Sequence, residues 1–306
     1  MASPGRPTPG PWPGVLCGVL CVALFLGCTA SEAPQVAPPV IVFDWMRNGN
    51  RDIYRAGLDG KDTVRLTSNS GDDQHPTERA GVVVFTSYRD GNGELYVVPS
   101  RGGGGPEQRL TTTTANETQP ALSPDGRHIA YLSDESGVPK LWMSAADGTN
   151  PQPLTAGFGF AGSIEASPSW APSGDRIVFV STANGRAGLF ILTLGGGGTP
   201  TPLVADSNHT AVEPSWSPDG RLVAFASDRA GVTNIFTVDV ATLQIRQITT
   251  DAITAGQPAW LADGRLVYTS WSGGTPRLRW RDTTVSGSSV TIDLGTGDAQ
   301  HSAAVF

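Results

Sequence analysis

The sequence has no cysteine beyond Cys28; Cys17, Cys21 and Cys28 all lie near its start. The rest of the chain therefore has neither a disulfide framework nor a thiol nucleophile. Lysine is nearly missing, with only Lys61 and Lys140. Basic residues number 21 against 28 acidic ones, a net charge of −7. No basic stripe exists, so no nucleic-acid partner is expected. No stretch holds a helical apolar period, and 38 glycines and 24 prolines interrupt the chain every few positions. Helical bundles and coiled coils are excluded on that ground. No G-x-S-x-G elbow occurs and no segment is left over for a hydrolase domain, so no enzyme is expected and no cofactor is called for.

Long apolar runs are also scarce. The longest is VLCGVLCVALFLG, from Val15 to Gly27. It is uncharged, too short to span a bilayer as a helix, and of the right length for a signal-peptide core. Cys28 follows Gly27 and precedes TASEAPQVAPP. That arrangement resembles a bacterial lipoprotein signal, in which the cysteine is lipidated and becomes the new N-terminus. The resemblance implies a signal peptide over 1–27, a lipidated Cys28 with a flexible tether over 28–39, and a membrane contact through the lipid. The implied location is the bacterial periplasm or cell surface. Acyl chains suit the task, since each buried CH₂ contributes about 0.8 kcal/mol.

What the sequence does have is one unit repeated six times. The runs VIVFDW, VVVFTS, HIAYLS, RIVFVS, LVAFAS and RLVYTS align on Phe43, Phe85, Tyr131, Phe179, Phe225 and Tyr268, spaced 42 to 48 residues apart. Eleven residues later stand Tyr54, Tyr96, Trp142, Phe190, Phe236 and Arg279. A third column ends at Thr67, Thr111, Thr155, Val204 and Thr249. Each unit reads as four short strands rich in Val, Ile and Phe, cut by turns such as Asp125-Gly126, Asp219-Gly220 and Asp263-Gly264. A unit of this size cannot bury both sheet faces alone. Six of them around an axis can, which predicts an all-β, six-bladed propeller over 40–306 with the bulky columns between blades.

The segments SPDGRHIAYLSDESGVPKLW, SPDGRLVAFASDRAGVTNIF and APSGDRIVFVSTANGRAGLF resemble the repeat of TolB-type propellers, the PD40 or WD40-like group. The resemblance implies the propeller fold and says little about activity. TolB-type proteins carry an α/β domain ahead of the propeller. Here only residues 29–39 separate Cys28 from the first predicted strand, and no such domain is expected.

The ends of the chain predict how the ring closes. Every unit but the first follows a short strand such as QPALS, SPSWA or EPSWS. The final QHSAAVF matches QHPTERA at 74–80, so Ser302–Phe306 is expected to supply the innermost strand of the first blade. Closure of this kind removes open sheet edges.

Just before each inner strand stand His75, Gln119, Ser167, Glu213, Gln257 and His301. They predict a polar ring at one mouth of the central channel, a candidate ligand site. His75 and His301 fall on neighbouring blades, with Glu213 across the channel. Imidazoles and a carboxylate are reasonable ligands for a divalent metal; the competing readings are a metal-dependent saccharide lyase at the channel mouth and a saccharide- or small-ligand-binding propeller with no chemistry. A second candidate is the Trp- and Arg-rich stretch of the last unit: Trp271, Arg277, Arg279, Trp280 and Arg281. Such residues are favoured at interface hot spots. The expected task is binding: a lipid-anchored scaffold that docks a protein partner, within a membrane complex.

Overall fold

The computed structural model describes residues 39–306, apart from 102–104, 197, 251–253, 273–274, 285–288, 295–299 and 306. The signal segment, Cys28 and the tether up to residue 38 lie outside the described residues. All regular structure among the described residues is β, in six four-stranded antiparallel sheets. Blades two to six each take four consecutive strands, from the axis outward. The fifth, for example, runs Ala211–Trp216, Leu222–Ser227, Asn234–Asp239 and Ile245–Gln247. The first blade combines both ends of the fold. Its inner strand is Gln300–Val305, which pairs antiparallel with Val40–Arg47 in the register Ile41↔Val305 and Phe43↔Ala303. The closing strand thus begins two residues before the expected Ser302.

The six buried apolar clusters correspond to the six seams between neighbouring blades. Val178, Val180 and Leu189 of the fourth blade meet Val223, Phe225 and Phe236 of the fifth. Ile41, Phe43 and Tyr54 of the first meet Leu261, Val267 and Leu278 of the sixth, so the last seam is packed like the others. Phe43, Phe85, Tyr131, Phe179, Phe225 and Tyr268 are all buried on the blade before their own. Each sheet alone would leave that ring in water. Burying a Phe side chain contributes roughly 1.5–3 kcal/mol, and the ring geometry lets all six units collect it.

The third sequence column has a different job from the aromatics. Thr67, Thr111, Thr155 and Thr249 are buried, and their Oγ1 atoms accept the N–H groups of Ile53, Leu95, Leu141 and Ile235 at 3.0, 2.9, 3.2 and 2.9 Å. They satisfy strand donors where the short outer strand has ended.

Inner strands all run from one face of the disc to the other. The face where they begin, here the entry face, also carries the turns between second and third strands. The opposite, exit face carries the Ser-Pro-Asp-Gly turns. In these, Ser123 and Ser217 donate to Asp125 and Asp219, and each Asp Oδ1 accepts the N–H two residues on.

Candidate functional site

The expected ring residues lie inside the inner strands, not before them. His75, Gln119, Ser167, Glu213 and Gln257 are each the third or fourth residue of their strand, at a break in register where one residue too many faces the second strand. This is a β-bulge. All five adopt left-handed backbone, with φ of 52°, 51°, 50°, 54° and 54°. For a residue with a Cβ that conformation costs about 1–2 kcal/mol, and a following proline disfavours helical backbone at the residue before it. The backbone of His301 falls at the matching break in the first blade. Its side chain is outside what is described.

The bulges with their prolines line a cavity of about 220 Å³ at the entry mouth. Pro76, Pro120, Pro168, Pro214 and Pro258 also border a second chamber of about 240 Å³ toward the exit face. The prolines form a collar that divides the channel in two.

Neighbouring bulges are tied together. Gln119 Oε1 accepts the N–H of Ser167 at 2.6 Å, and Glu213 Oε2 accepts that of Gln257 at 2.6 Å. The N–H of Gln119 goes to Thr86 Oγ1 at 3.1 Å. These bonds take up donors that the bulge frees from the ladder. Among the described residues Gln257 Oε1 is a buried acceptor with no partner, and His75 Nδ1 is also buried and unbonded. Burial and the nearby Arg51 charge pull the His75 imidazole down to about 4, so it is neutral at physiological pH. Burial pushes the Glu213 carboxyl up, against the lowering effect of the Gln257 N–H.

The Trp/Arg stretch of the sixth blade does not form one patch. The Trp271 ring lies over Gly256 at the entry mouth. A Cβ on Gly256 would sit 3.4 Å from Trp271 Cζ3 and 2.8 Å from Glu213 Oε2. Trp280 packs in the seam with the first blade, with the Arg265 guanidinium 4.8 Å from its ring centre. Arg281 donates to the Ile248 carbonyl of the fifth blade and Arg279 to Thr291 Oγ1 at 3.3 Å. Arg277 is exposed. Trp271 thus joins the ring residues, while Trp280 is a packing residue. They sit at different heights of one hairpin: Trp271 pairs with Pro276 near the entry end, and Trp280 with Val267 farther along.

Two further features of the entry face went unread in the sequence. Tyr88, Phe160, Ile164 and Val232 stand exposed on its loops. The entry half also buries six carboxylates. Asp44, Asp52, Asp73, Glu94 and Glu165 each pair with a cation: Arg51, Arg65, Arg89, Arg109 and Lys140. Glu117 is different, bonded only to the hydroxyls of Thr113 and Ser133. Burial without a cation pushes it up to about 7. Among the described residues no three His, Cys, Asp or Glu side chains converge to hold a metal.

Fold and channel define a six-bladed β-propeller with a divided polar channel. The TolB beta propeller domain family matches residues 140–304, more than half of the sequence, and the chain belongs to that family. It is 30% identical over 163 residues to the Protein TolB homolog of Chlorobium luteolum, covering 52% of this chain and 35% of that protein. It is 30% identical over 140 residues to the Tol-Pal system protein TolB of Bordetella pertussis, covering 38% and 30%. The matches thus span about a third of these relatives' length. The TolB structure from Acinetobacter baumannii superposes with a TM-score of 0.75 at 16% identity, covering 87% of this chain and 66% of that one. That likeness bears on the fold alone.

Proposed function

We propose that the chain is a protein-docking module of the bacterial cell envelope that receives its partner at the entry mouth of the channel. The observation that carries this reading is the ring of five left-handed, non-glycine residues. Strain of that kind persists where surrounding structure enforces it, and it gathers at functional sites. The exposed Tyr88, Phe160, Ile164 and Val232 add apolar contact area on loops of the same face. Trp271 adds an aromatic beside Glu213. A polar centre with unbonded buried groups and apolar loops on the same face suits a protein partner that inserts hydrogen-bonding groups into the channel.

The names of relatives support the same direction, since several are called Tol-Pal system proteins. In this reading Cys28 carries a lipid, the propeller lies outside the cytoplasm, and the module is a peripheral subunit of a membrane complex. Its role is binding rather than catalysis.

Photo-cross-linking in the native envelope tests the docking face. A benzoylphenylalanine at Ile164 reports on the entry face and one at Leu243 on the exit face; both positions are exposed. A discrete protein adduct from position 164 and none from 243 is expected. Adducts from 243 alone, or from neither, contradict the proposal.

A further inference from the structure

The second blade departs from its neighbours at the exit face. The fourth, fifth and sixth blades end their inner strands near Trp170, Trp216 and Trp260, then make a longer turn. The second ends in Glu78-Arg79 and turns through two residues, Ala80 (φ 53°) and Gly81 (φ 85°), with Arg79 paired to Val82. Positive φ at both positions makes a tight type I′ hairpin. This turn has no counterpart of the Pro172 and Pro218 that line the rim elsewhere. The space left is a cavity of about 180 Å³ walled by Trp170, Trp216, Trp260 and those prolines, and Arg79 is its one charged residue. Arg79 and the three tryptophans also line the exit chamber of the channel, so the two spaces share a wall.

Donors are in surplus here. Arg79 is exposed, and its guanidinium makes no ion pair or hydrogen bond with any described residue. The acidic residue on the chamber wall, Glu78, is engaged by Ser100 Oγ at 2.9 Å. Thr77 and Ser169 accept the N–H groups of Leu122 and Trp216 at 3.3 and 3.2 Å, which leaves both hydroxyl protons to donate. The indoles of Trp170 and Trp260 donate to the carbonyls of Ala121 and Ser215 at 2.9 and 3.1 Å. The Trp216 indole N–H has no acceptor.

We propose that this exit-face cavity binds a carboxylate carried on an apolar body. The carboxylate sits on Arg79, whose planar fork matches two carboxylate oxygens. The apolar body lies against the Trp and Pro wall. Two sources present this chemistry: a small free acid, or the C-terminal end of a peptide with an apolar last residue. The site is separate from the entry mouth and stands or falls without it.

Indole N–H resonances test it. The full chain is ¹⁵N-labelled and titrated with hexanoate, hexanamide, N-acetyl-Ala-Ala-Leu acid and its C-terminal amide, at constant ionic strength in chloride. Saturable shifts of the Trp170, Trp216 and Trp260 indoles with either acid, and none with the amides, are expected; Trp45 and Trp142 serve as controls. Response to hexanoate assigns a small acid, and response to the peptide acid alone assigns a chain end. Arg79→Gln should weaken binding at least tenfold and Arg79→Lys less, with the spectrum otherwise unchanged. Equal shifts with the amides, no shift with either acid, or wild-type binding by Arg79→Gln each overturns the proposal.

Discussion

The two halves of this disc are built on different chemistry. The entry half holds the six buried carboxylates, the strained bulges and the acceptors without partners. The exit half closes its inner strands with Trp170, Trp216 and Trp260, buried and mostly hydrogen-bonded, and with short turns capped by their own Ser and Asp side chains. One sheet architecture thus separates its tasks along the strand direction. The exit half closes the seams with large aromatics. The entry half accepts desolvated charge and left-handed backbone at a cost, which is the mark of a surface kept for binding.

Four perturbations can break or sharpen this contrast. The largest effect should come from deleting residues 300–306, which takes one inner strand from both halves at once. Loss of cooperative unfolding, or aggregation on heating, is expected in calorimetry; a truncated chain that melts like the intact one would remove the closed ring on which the contrast rests. Next, Trp216→Ala in the exit half should cost about 3–5 kcal/mol by denaturant unfolding, as large aromatic truncations in a packed seam do. That cost should not change between pH 5 and pH 8, because no titrating group is involved.

Glu117→Gln in the entry half should behave oppositely. A carboxyl raised in the folded state binds its proton more tightly there than in the unfolded chain. Wild-type stability is therefore complete below pH 4.5 and falls as pH rises toward about 7. Glutamine removes that loss. The variant should be more stable than wild type by on the order of 2 kcal/mol at pH 8 and no more stable near pH 4. A variant that is less stable at pH 8 would show that the charged carboxylate is well solvated, and the halves would differ less than described. The smallest effect is expected from Ser167→Gly. Glycine adopts left-handed backbone without the Cβ penalty, and Ser167 Oγ makes only one long bond, 3.4 Å to Gln119. A gain of about 1 kcal/mol should appear in the melting curve. A loss would mean that the bulge is not strained.

Much of the fold was legible in the sequence. Three columns of residues fixed the blade number, the seams and the chain-end closure, because inter-blade packing demands a bulky residue at the same height in each unit. Five of the six expected ring residues line the mouth, and their place in the backbone was misread. An X-Pro step reads as the start of a strand, since proline gives no ladder donor. A bulge keeps the strand going through it, and the left-handed turn that does so leaves no signal in residues such as His75 or Glu213. The stretch 271–281 misled for a simpler reason. Neighbours in sequence were taken as neighbours on one surface, whereas Trp280 faces the first blade and Arg281 the fifth. The repeated Thr column was visible, yet its role as an acceptor for strand donors depends on where the outer strands stop. Arg79 stood in plain view as a departure from the Ser-Pro-Asp-Gly pattern.

The most direct test of the entry mouth as a docking site is Glu213→Gln in the chain that carries the cross-linker at position 164. Glutamine can still accept the Gln257 N–H, so the bulge and its strain remain. Only the charge and protonation of the mouth change. The account requires the position-164 adduct to fall about tenfold, equivalent to about 1.4 kcal/mol of binding, while the melting temperature does not fall below that of wild type. Adduct formation at the wild-type level would contradict it.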